Sequence, residues 1–127
     1  MASAFRKTSM PISGSAMETS ALELFRLDEM VEGWFVGDFS PAALRTDAAE
    51  VAVKHYKAGD REASHLHKIA AEVTLVLEGT VEMCGRRLSN GDIIKLAPGE
   101  ATDFLAVTDA TTVVVKLPSV AGDKYAA

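Results

Sequence analysis

The pattern of hydrophobic and polar residues predicts a chain made largely of short β-strands. From Glu50 onward, apolar or alternating runs are separated by turn signals rich in Gly, Asn, Asp and Pro. These signals recur roughly every 8–12 residues, a spacing typical of antiparallel sandwiches and barrels. We therefore expect an all-β domain, with strands inside residues 50–59, 72–79, 80–85, 92–99 and 111–119.

The earlier part of the chain has a less regular pattern. The apolar residues of segment 18–31 fit neither the helical nor the strand period, so its structure stays open. Residues 33–39, GWFVGDF, are aromatic and bounded by turn residues, which predicts a further strand. Ser40 is followed by a proline, and this pair predicts one helical turn over residues 41–45.

Length, charge and cysteine content narrow the functional classes. The 127 residues suit one domain, which we expect to span residues 20–127. The composition of residues 1–19 favours no packed core and predicts a disordered extension. This segment includes no apolar stretch of signal-peptide length. The net charge of −5 argues against a nucleic-acid partner, and no apolar run is long enough to span a membrane. Cys84 is the single cysteine, which favours a reducing, cytoplasmic location.

The histidines are crowded in one short stretch. Two of the three, His65 and His67, are separated by a single residue, and Glu72 follows five residues later. In a strand, residues i and i+2 point to the same face about 7 Å apart, so both imidazoles could reach one metal ion. An antiparallel partner strand would bring Glu72 to the same face. Two imidazoles and a carboxylate suit divalent Fe, Zn, Ni or Mn, although two hydrogen-bonded surface histidines would give the same pattern.

The spacing around these residues resembles a known family motif. Gly59, His65, His67, Glu72 and Gly79 match the first signature motif of the cupin superfamily at every spaced position. The chain therefore resembles a small single-domain cupin of the cupin-2 type. This resemblance implies a double-stranded β-helix, which is a jelly-roll barrel with a pocket inside, and it implies that His65, His67 and Glu72 are metal ligands.

The second cupin motif, G-x5-P-x-G-x2-H-x3-N, is only partly present. Counted from Gly91, its proline falls on Ala97, its metal-binding histidine on Thr102 and its asparagine on Ala106. The fourth ligand of many metal-binding cupins is therefore missing. Asp103 is a candidate replacement, but strand alternation turns it to the opposite face unless the strand carries a bulge. Otherwise water or substrate oxygens complete the metal shell.

The resemblance leaves the reaction open. It implies a metalloenzyme acting on a small oxygen-rich molecule, such as a sugar derivative or an organic acid, and the reaction would be that of an isomerase or epimerase, a lyase or a dioxygenase. The alternatives are a non-catalytic module that binds or senses a small ligand, and a metal-free barrel. His55 or Tyr56 is a candidate acid or base, since parity cannot say which faces the pocket. A homodimer is expected, with Trp34 and Phe35 in the core or at its interface.

Overall fold

The computed structural model describes residues 22–127, which form two β-sheets packed face to face. The extension expected at residues 1–19 lies outside the described residues, and so do residues 20 and 21 of the expected domain. A short 3-10 turn, Leu27–Glu29, precedes the first strand. Within residues 22–127, no helix has the length and apolarity that a membrane crossing requires.

The larger sheet has six strands in the order β2-β1-β3-β10-β5-β8. Its neighbours pair antiparallel, except for β1 and β2, which run parallel. The strands are β1 (Trp34–Gly37), β2 (Leu44–Arg45), β3 (Glu50–Tyr56), β5 (Ala71–Glu78), β8 (Ile93–Leu96) and β10 (Ala110–Leu117).

The smaller sheet has five antiparallel strands in the order β11-β4-β9-β6-β7. They are β4 (Arg61–Leu66), β6 (Thr80–Met83), β7 (Arg86–Ser89), β9 (Thr102–Ala106) and β11 (Tyr125–Ala126). Chain crossings between the sheets need tight turns. Gly79, between β5 and β6, has a φ of +93°, and a Cβ there would collide with the Asp109 carbonyl oxygen, so the motif glycine is sterically required.

The core lies between the two sheets and follows the period-2 alternation of the strands. In β5, alternate residues from Glu72 to Val76 are buried, while Leu77 is exposed. Each fully buried Val, Leu, Phe or Met side chain contributes about 1.5–3 kcal/mol to folding. The central cluster consists of Val76, Val81, Met83, Leu96, Phe104, Ala106 and Ala110.

The all-β prediction is confirmed, and every strand expected from the sequence is present. The helical turn expected over residues 41–45 is wrong, because these residues hydrogen-bond to β1 instead of to one another. The amide of Ala43 donates to Phe35 O (2.8 Å), the amide of Thr46 donates to Gly37 O (3.1 Å), and β2 forms between them.

Candidate metal centre

The two histidines and the glutamate of the motif meet at one point between the sheets. His65 lies in β4, His67 directly follows that strand, and Glu72 lies near the start of β5. One ligand atom from each lies within 4.8 Å of the others, close enough to bind a metal ion. His67 and Glu72 are buried, and His65 is partly buried.

Hydrogen bonds donated by the Nδ1 atoms orient both imidazole rings. His65 Nδ1 donates to Ala63 O at 3.0 Å, and His67 Nδ1 donates to the carbonyl oxygen of Asp123. Since Nδ1 carries the proton in each ring, Nε2 is the nitrogen left to bind a metal.

The contacts of Glu72 test whether this donor set fits a cation. Its Oε1 lies 3.1 Å from His67 Nε2, and its Oε2 accepts a hydrogen bond from Thr74 Oγ1 at 3.1 Å. A neutral His67 would point a lone pair at the carboxylate, so the pair needs either a second proton on the ring or a cation that both atoms bind. Two Nε2 atoms and a carboxylate oxygen suit a divalent transition metal, and the residues therefore fit the group.

Asp123 holds the turn that carries these ligands, and sequence reasoning missed it. Its carboxylate accepts the amide N–H groups of Lys68, Ile69 and Ala70 at 2.9, 3.1 and 2.9 Å. Burial alone would raise the pKa of Asp123, but these three N–H donors and the nearby His67 outweigh it and lower the pKa. One residue from the C-terminal segment therefore fixes both the His67 ring and the turn leading to Glu72.

The second motif meets the first at this point. Gly99, with a φ of +89°, donates its N–H to His67 O at 2.7 Å. Thr102 pairs directly with His65 across β4 and β9, is buried and lines the cavity, but its hydroxyl donates to the Asp103 carbonyl oxygen at 2.7 Å. The Asp103 side chain is exposed on the outer face and accepts the N–H of Cys84, so the structure does not bring it to the metal centre.

Structural comparison identifies the fold. No protein-family model and no curated protein matches the sequence. An uncharacterized conserved protein with a double-stranded β-helix domain from Klebsiella pneumoniae is 24% identical, with 94% of this chain and 98% of that chain covered and a TM-score of 0.61. A sugar phosphate isomerase of the cupin superfamily from Silicibacter pomeroyi is 21% identical, with 57% and 52% covered and a TM-score of 0.53. Oxalate decarboxylase from Bacillus subtilis is 17% identical, with 63% and 24% covered and a TM-score of 0.55.

The chain has the cupin fold. The double-stranded β-helix implied by the motif spacing is therefore confirmed. The chain spans about half of the isomerase and a quarter of the decarboxylase. At these identities the likeness establishes the fold, and activity has to be argued from the site.

A cavity of about 430 Å³ opens beside His65, His67 and Glu72. A volume of this size is typical of small-molecule pockets. Its wall combines aromatic and aliphatic side chains with many polar and charged groups from both sheets. Besides the three ligand residues it is lined by, among others, Trp34, Lys54, Tyr56, Glu62, Thr74, Met83, Phe104, Thr112 and Lys116.

The structure separates the two acid–base candidates. Tyr56 faces the cavity, with its ring against Phe104 at a centroid distance of 4.3 Å. Burial and the neighbouring Glu62 raise the pKa of Tyr56 well above its ordinary value, so its hydroxyl stays protonated at neutral pH. His55 is exposed on the outer face, where its Nδ1 lies 3.1 Å from Thr111 Oγ1, and it does not line this cavity.

Glu62 is a second cavity residue that sequence reasoning missed. Its side chain is partly buried, and Tyr56 Oη donates to its Oε2 at 3.3 Å. Strict alternation from His65 would point Glu62 outward. A register shift between these two residues places both of them on the inner face.

A charged group lines another part of the cavity wall. Lys116 Nζ lies 3.3 Å from Glu50 Oε1, and Ser119 Oγ donates to Glu50 Oε2 at 2.7 Å. The ammonium groups of Lys54 and Lys116 lie 5.4 and 4.9 Å from the centroid of the Trp34 ring. Trp34, expected in the core or at an interface, thus lines the cavity, where its ring face attracts cations.

Proposed function

We propose that this protein is a metalloenzyme that acts on a small oxygen-rich molecule, either a sugar derivative or an organic acid. The observation that carries the proposal is the convergence of His65, His67 and Glu72, already oriented by hydrogen bonds, on a cavity of small-molecule size. The similar structures include a sugar phosphate isomerase and an oxalate decarboxylase, which supports this range of substrates.

In the proposed site, His65 Nε2, His67 Nε2 and a Glu72 oxygen hold a divalent ion, namely Fe, Zn, Ni or Mn. A bound ion of this kind supplies Lewis-acid polarisation of a substrate oxygen or, with iron, redox chemistry. Thr74 fixes the Glu72 carboxylate through its hydroxyl, while Phe104 and Met83 provide an apolar wall that excludes water from the reacting atoms.

Elemental analysis of protein purified without a chelator or an affinity tag tests the metal site. We expect near-stoichiometric metal in the parent protein and loss of that metal in the His65→Ala/His67→Ala double variant. His55→Ala is the matched control, because it removes the remaining histidine from the outer face and should keep the metal. A parent protein that binds none of the four cations after reloading would refute the proposal.

A non-catalytic module that binds or senses a small ligand is the second candidate. The Thr102 hydroxyl donates its hydrogen bond to a backbone carbonyl oxygen, so it does not act as a fourth ligand. The three ligands His65, His67 and Glu72 remain for the proposed ion, and this supports the second candidate. The two candidates differ in turnover. A ligand that binds the metal-loaded protein, raises its melting temperature and is recovered unchanged would support the sensing module.

We also propose that the protein forms a homodimer through the outer face of the six-stranded sheet. Val53, Val113, Leu75 and Ile93 lie side by side on four neighbouring strands, and Ile93 is 65% exposed. An apolar row of this kind suits the self-complementary contact of a twofold dimer. Light scattering should give twice the chain mass for the parent protein and for Ile69→Lys, a control elsewhere on the surface, but one chain mass for Ile93→Lys.

The remaining parts of the proposal concern location and partners. We propose a reducing, cytoplasmic setting, supported by the single cysteine, Cys84, which is free and exposed. The partner we propose is a small molecule and neither a nucleic acid nor a membrane, in keeping with the net charge of −5. Fractionation of cells that produce the protein checks the location, and a salt-dependent shift of labelled DNA or RNA would contradict the choice of partner.

A further inference from the structure

Glu62 reaches the cavity because β4 carries an irregularity. Across β4 and β9, Glu62 pairs with Phe104 and His65 pairs with Thr102. Two residues separate the pair on β4, whereas one residue separates their partners on β9. Because of this extra residue, the side chains of Glu62 and His65 point to the same face of the sheet. A carboxylate therefore lies with both histidines on the inner side of the barrel.

The Glu62 carboxylate has an unusual environment for a partly buried acid. It takes part in no ion pair with the residues that the structure describes, and Tyr56 donates its hydrogen bond. Glu50, which also lines the cavity, is paired with Lys116 and accepts from Ser119. Because this carboxylate has no cation beside it, an ion pair does not explain its position, and a contact with a ligand in the cavity does.

Tyr56 is placed to hold Glu62 in one orientation. Its ring is packed against Phe104, and its hydroxyl stays protonated and therefore donates to Glu62 Oε2. No hydrogen bond to the other Glu62 oxygen is made by the described residues, which leaves that oxygen to meet a ligand in the cavity. A fixed carboxylate with one open oxygen has the geometry of a general base.

On the basis of the metal-binding function proposed above, we propose that Glu62 exchanges a proton with the substrate and that Tyr56 positions it. The substrate class that this arrangement fits is a small carbonyl compound with a C–H bond next to its C=O group, such as a hydroxy aldehyde or a 2-oxo acid.

The proposed step is balanced without an oxidant or a reductant. The Glu62 carboxylate accepts the proton from the carbon beside the carbonyl group. The electron pair of the broken C–H bond forms a C=C bond, and the carbonyl π pair moves to its oxygen, which gives an enolate and a neutral Glu62. Return of the proton to carbon restores the carboxylate. This chemistry is that of isomerases and epimerases, not of dioxygenases.

Proton exchange in D₂O tests the assignment without knowledge of the natural substrate. Loss of the C–H signal is followed by proton NMR for glyceraldehyde, dihydroxyacetone, pyruvate and 2-oxoglutarate. The protein is loaded with Fe, Zn, Ni or Mn, which is chelated before each spectrum. We expect the parent protein to exceed the protein-free rate for at least one probe. Glu62→Gln should lower this rate by about 100-fold or more, since general bases contribute that much.

Three further measurements separate the roles. Glu82→Gln is the matched control, because Glu82 is a strand carboxylate paired with Arg87 outside the cavity, and it should leave exchange unchanged. Tyr56→Phe keeps the ring against Phe104 and should lower the saturating rate by about tenfold, the value of one hydrogen bond to a charged group, without changing the half-saturation concentration. Elemental analysis should find equal metal in the parent protein and in Glu62→Gln.

The contrary outcomes are distinct. Metal-loaded parent protein that accelerates exchange of no probe, or Glu62→Gln that exchanges as fast as the parent, overturns the role of Glu62 and leaves the metal site standing. A parent protein that binds none of the cations overturns the proposed function itself. A Tyr56→Phe variant with an unchanged saturating rate overturns the positioning role.

Discussion

The hydroxyl group of Thr112 allows a direct test of what an unsatisfied buried polar group costs in stability in this barrel. Thr112 is 0% exposed, and its Oγ1 has no hydrogen-bond partner within residues 22–127. The nearby Tyr56 hydroxyl donates its hydrogen bond to Glu62 and not to Thr112. The Thr112 side chain lies close enough to Tyr56 to lower its pKa, which opposes the larger rise caused by burial and Glu62. Replacing Thr112 by Val exchanges the hydroxyl for a methyl group of similar size and keeps the β-branched shape that strands favour.

The expected effect follows from the cost of an unsatisfied buried group. Leaving one buried donor without a partner costs about 1–3 kcal/mol, and the substitution removes that cost. We expect Thr112→Val to raise the free energy of unfolding by about 1–2 kcal/mol, which corresponds to about 4–7 °C in melting temperature for a chain of this length. Few substitutions in a barrel interior stabilise, so the sign alone is informative.

The assay is urea unfolding of metal-free protein, with Thr74→Val as the matched control. Thr74 is 2% exposed and faces the same cavity, but its hydroxyl donates to Glu72 Oε2 at 3.1 Å. Losing that bond to a buried carboxylate should lower the free energy of unfolding by about 1.5–3 kcal/mol. If Thr112→Val is no more stable than the parent protein, then its hydroxyl has a partner and the reasoning fails.

The remaining predictions concern Asp123 and the metal. Asp123→Ala should lower the free energy of unfolding by about 2–4 kcal/mol in urea titrations, because three N–H groups lose a charged acceptor, and it should also weaken metal binding measured by calorimetry. The pKa of Asp123 is lower in the folded state than its ordinary value of 3.8. The ionised carboxylate therefore contributes fully to the free energy of unfolding above that pH, and this contribution is lost as the pH falls toward the folded-state pKa. The stability difference between the parent and Asp123→Asn should therefore narrow below about pH 4, and a widening difference would contradict the assignment. Metal at 100 times its Kd should stabilise the parent by about 2.7 kcal/mol and leave the His65→Ala/His67→Ala variant unchanged.

The convergence of the three candidate metal ligands was predictable because its determinants are local. His65 and His67 lie two residues apart at the end of β4, and a short connection leads from there to β5, which carries Glu72. The two strands do not pair with each other as expected but lie in opposite sheets, so Glu72 reaches the histidines across the space between the sheets. The strand pattern of the barrel was predictable for the same reason. Runs such as β5 bury alternate side chains, and the period of 2 is visible in the sequence.

The supporting residues could not be found in this way. The inward direction of Glu62 depends on a register shift between β4 and β9, which the local pattern does not encode. Asp123 is 53 residues from the amide of Ala70 that it holds, and only the folded chain brings them together. Short segments with mixed composition, such as β7 with its two arginines, were also missed, because pairing with β6 and not local propensity makes them strands.

The charges around the cavity connect the metal to the choice of substrate. Among the described residues, the cavity is lined by four glutamates and three lysines, so it carries one more negative than positive charge when its histidines are neutral. A divalent ion at His65, His67 and Glu72 reverses that sign. Lys116 pairs in register with both Glu50 and Glu72, so a cation already stands beside one ligand residue. The metal-loaded cavity should therefore prefer an anionic ligand, such as an organic acid, over a neutral sugar of the same size, and should lose that preference when the metal is removed.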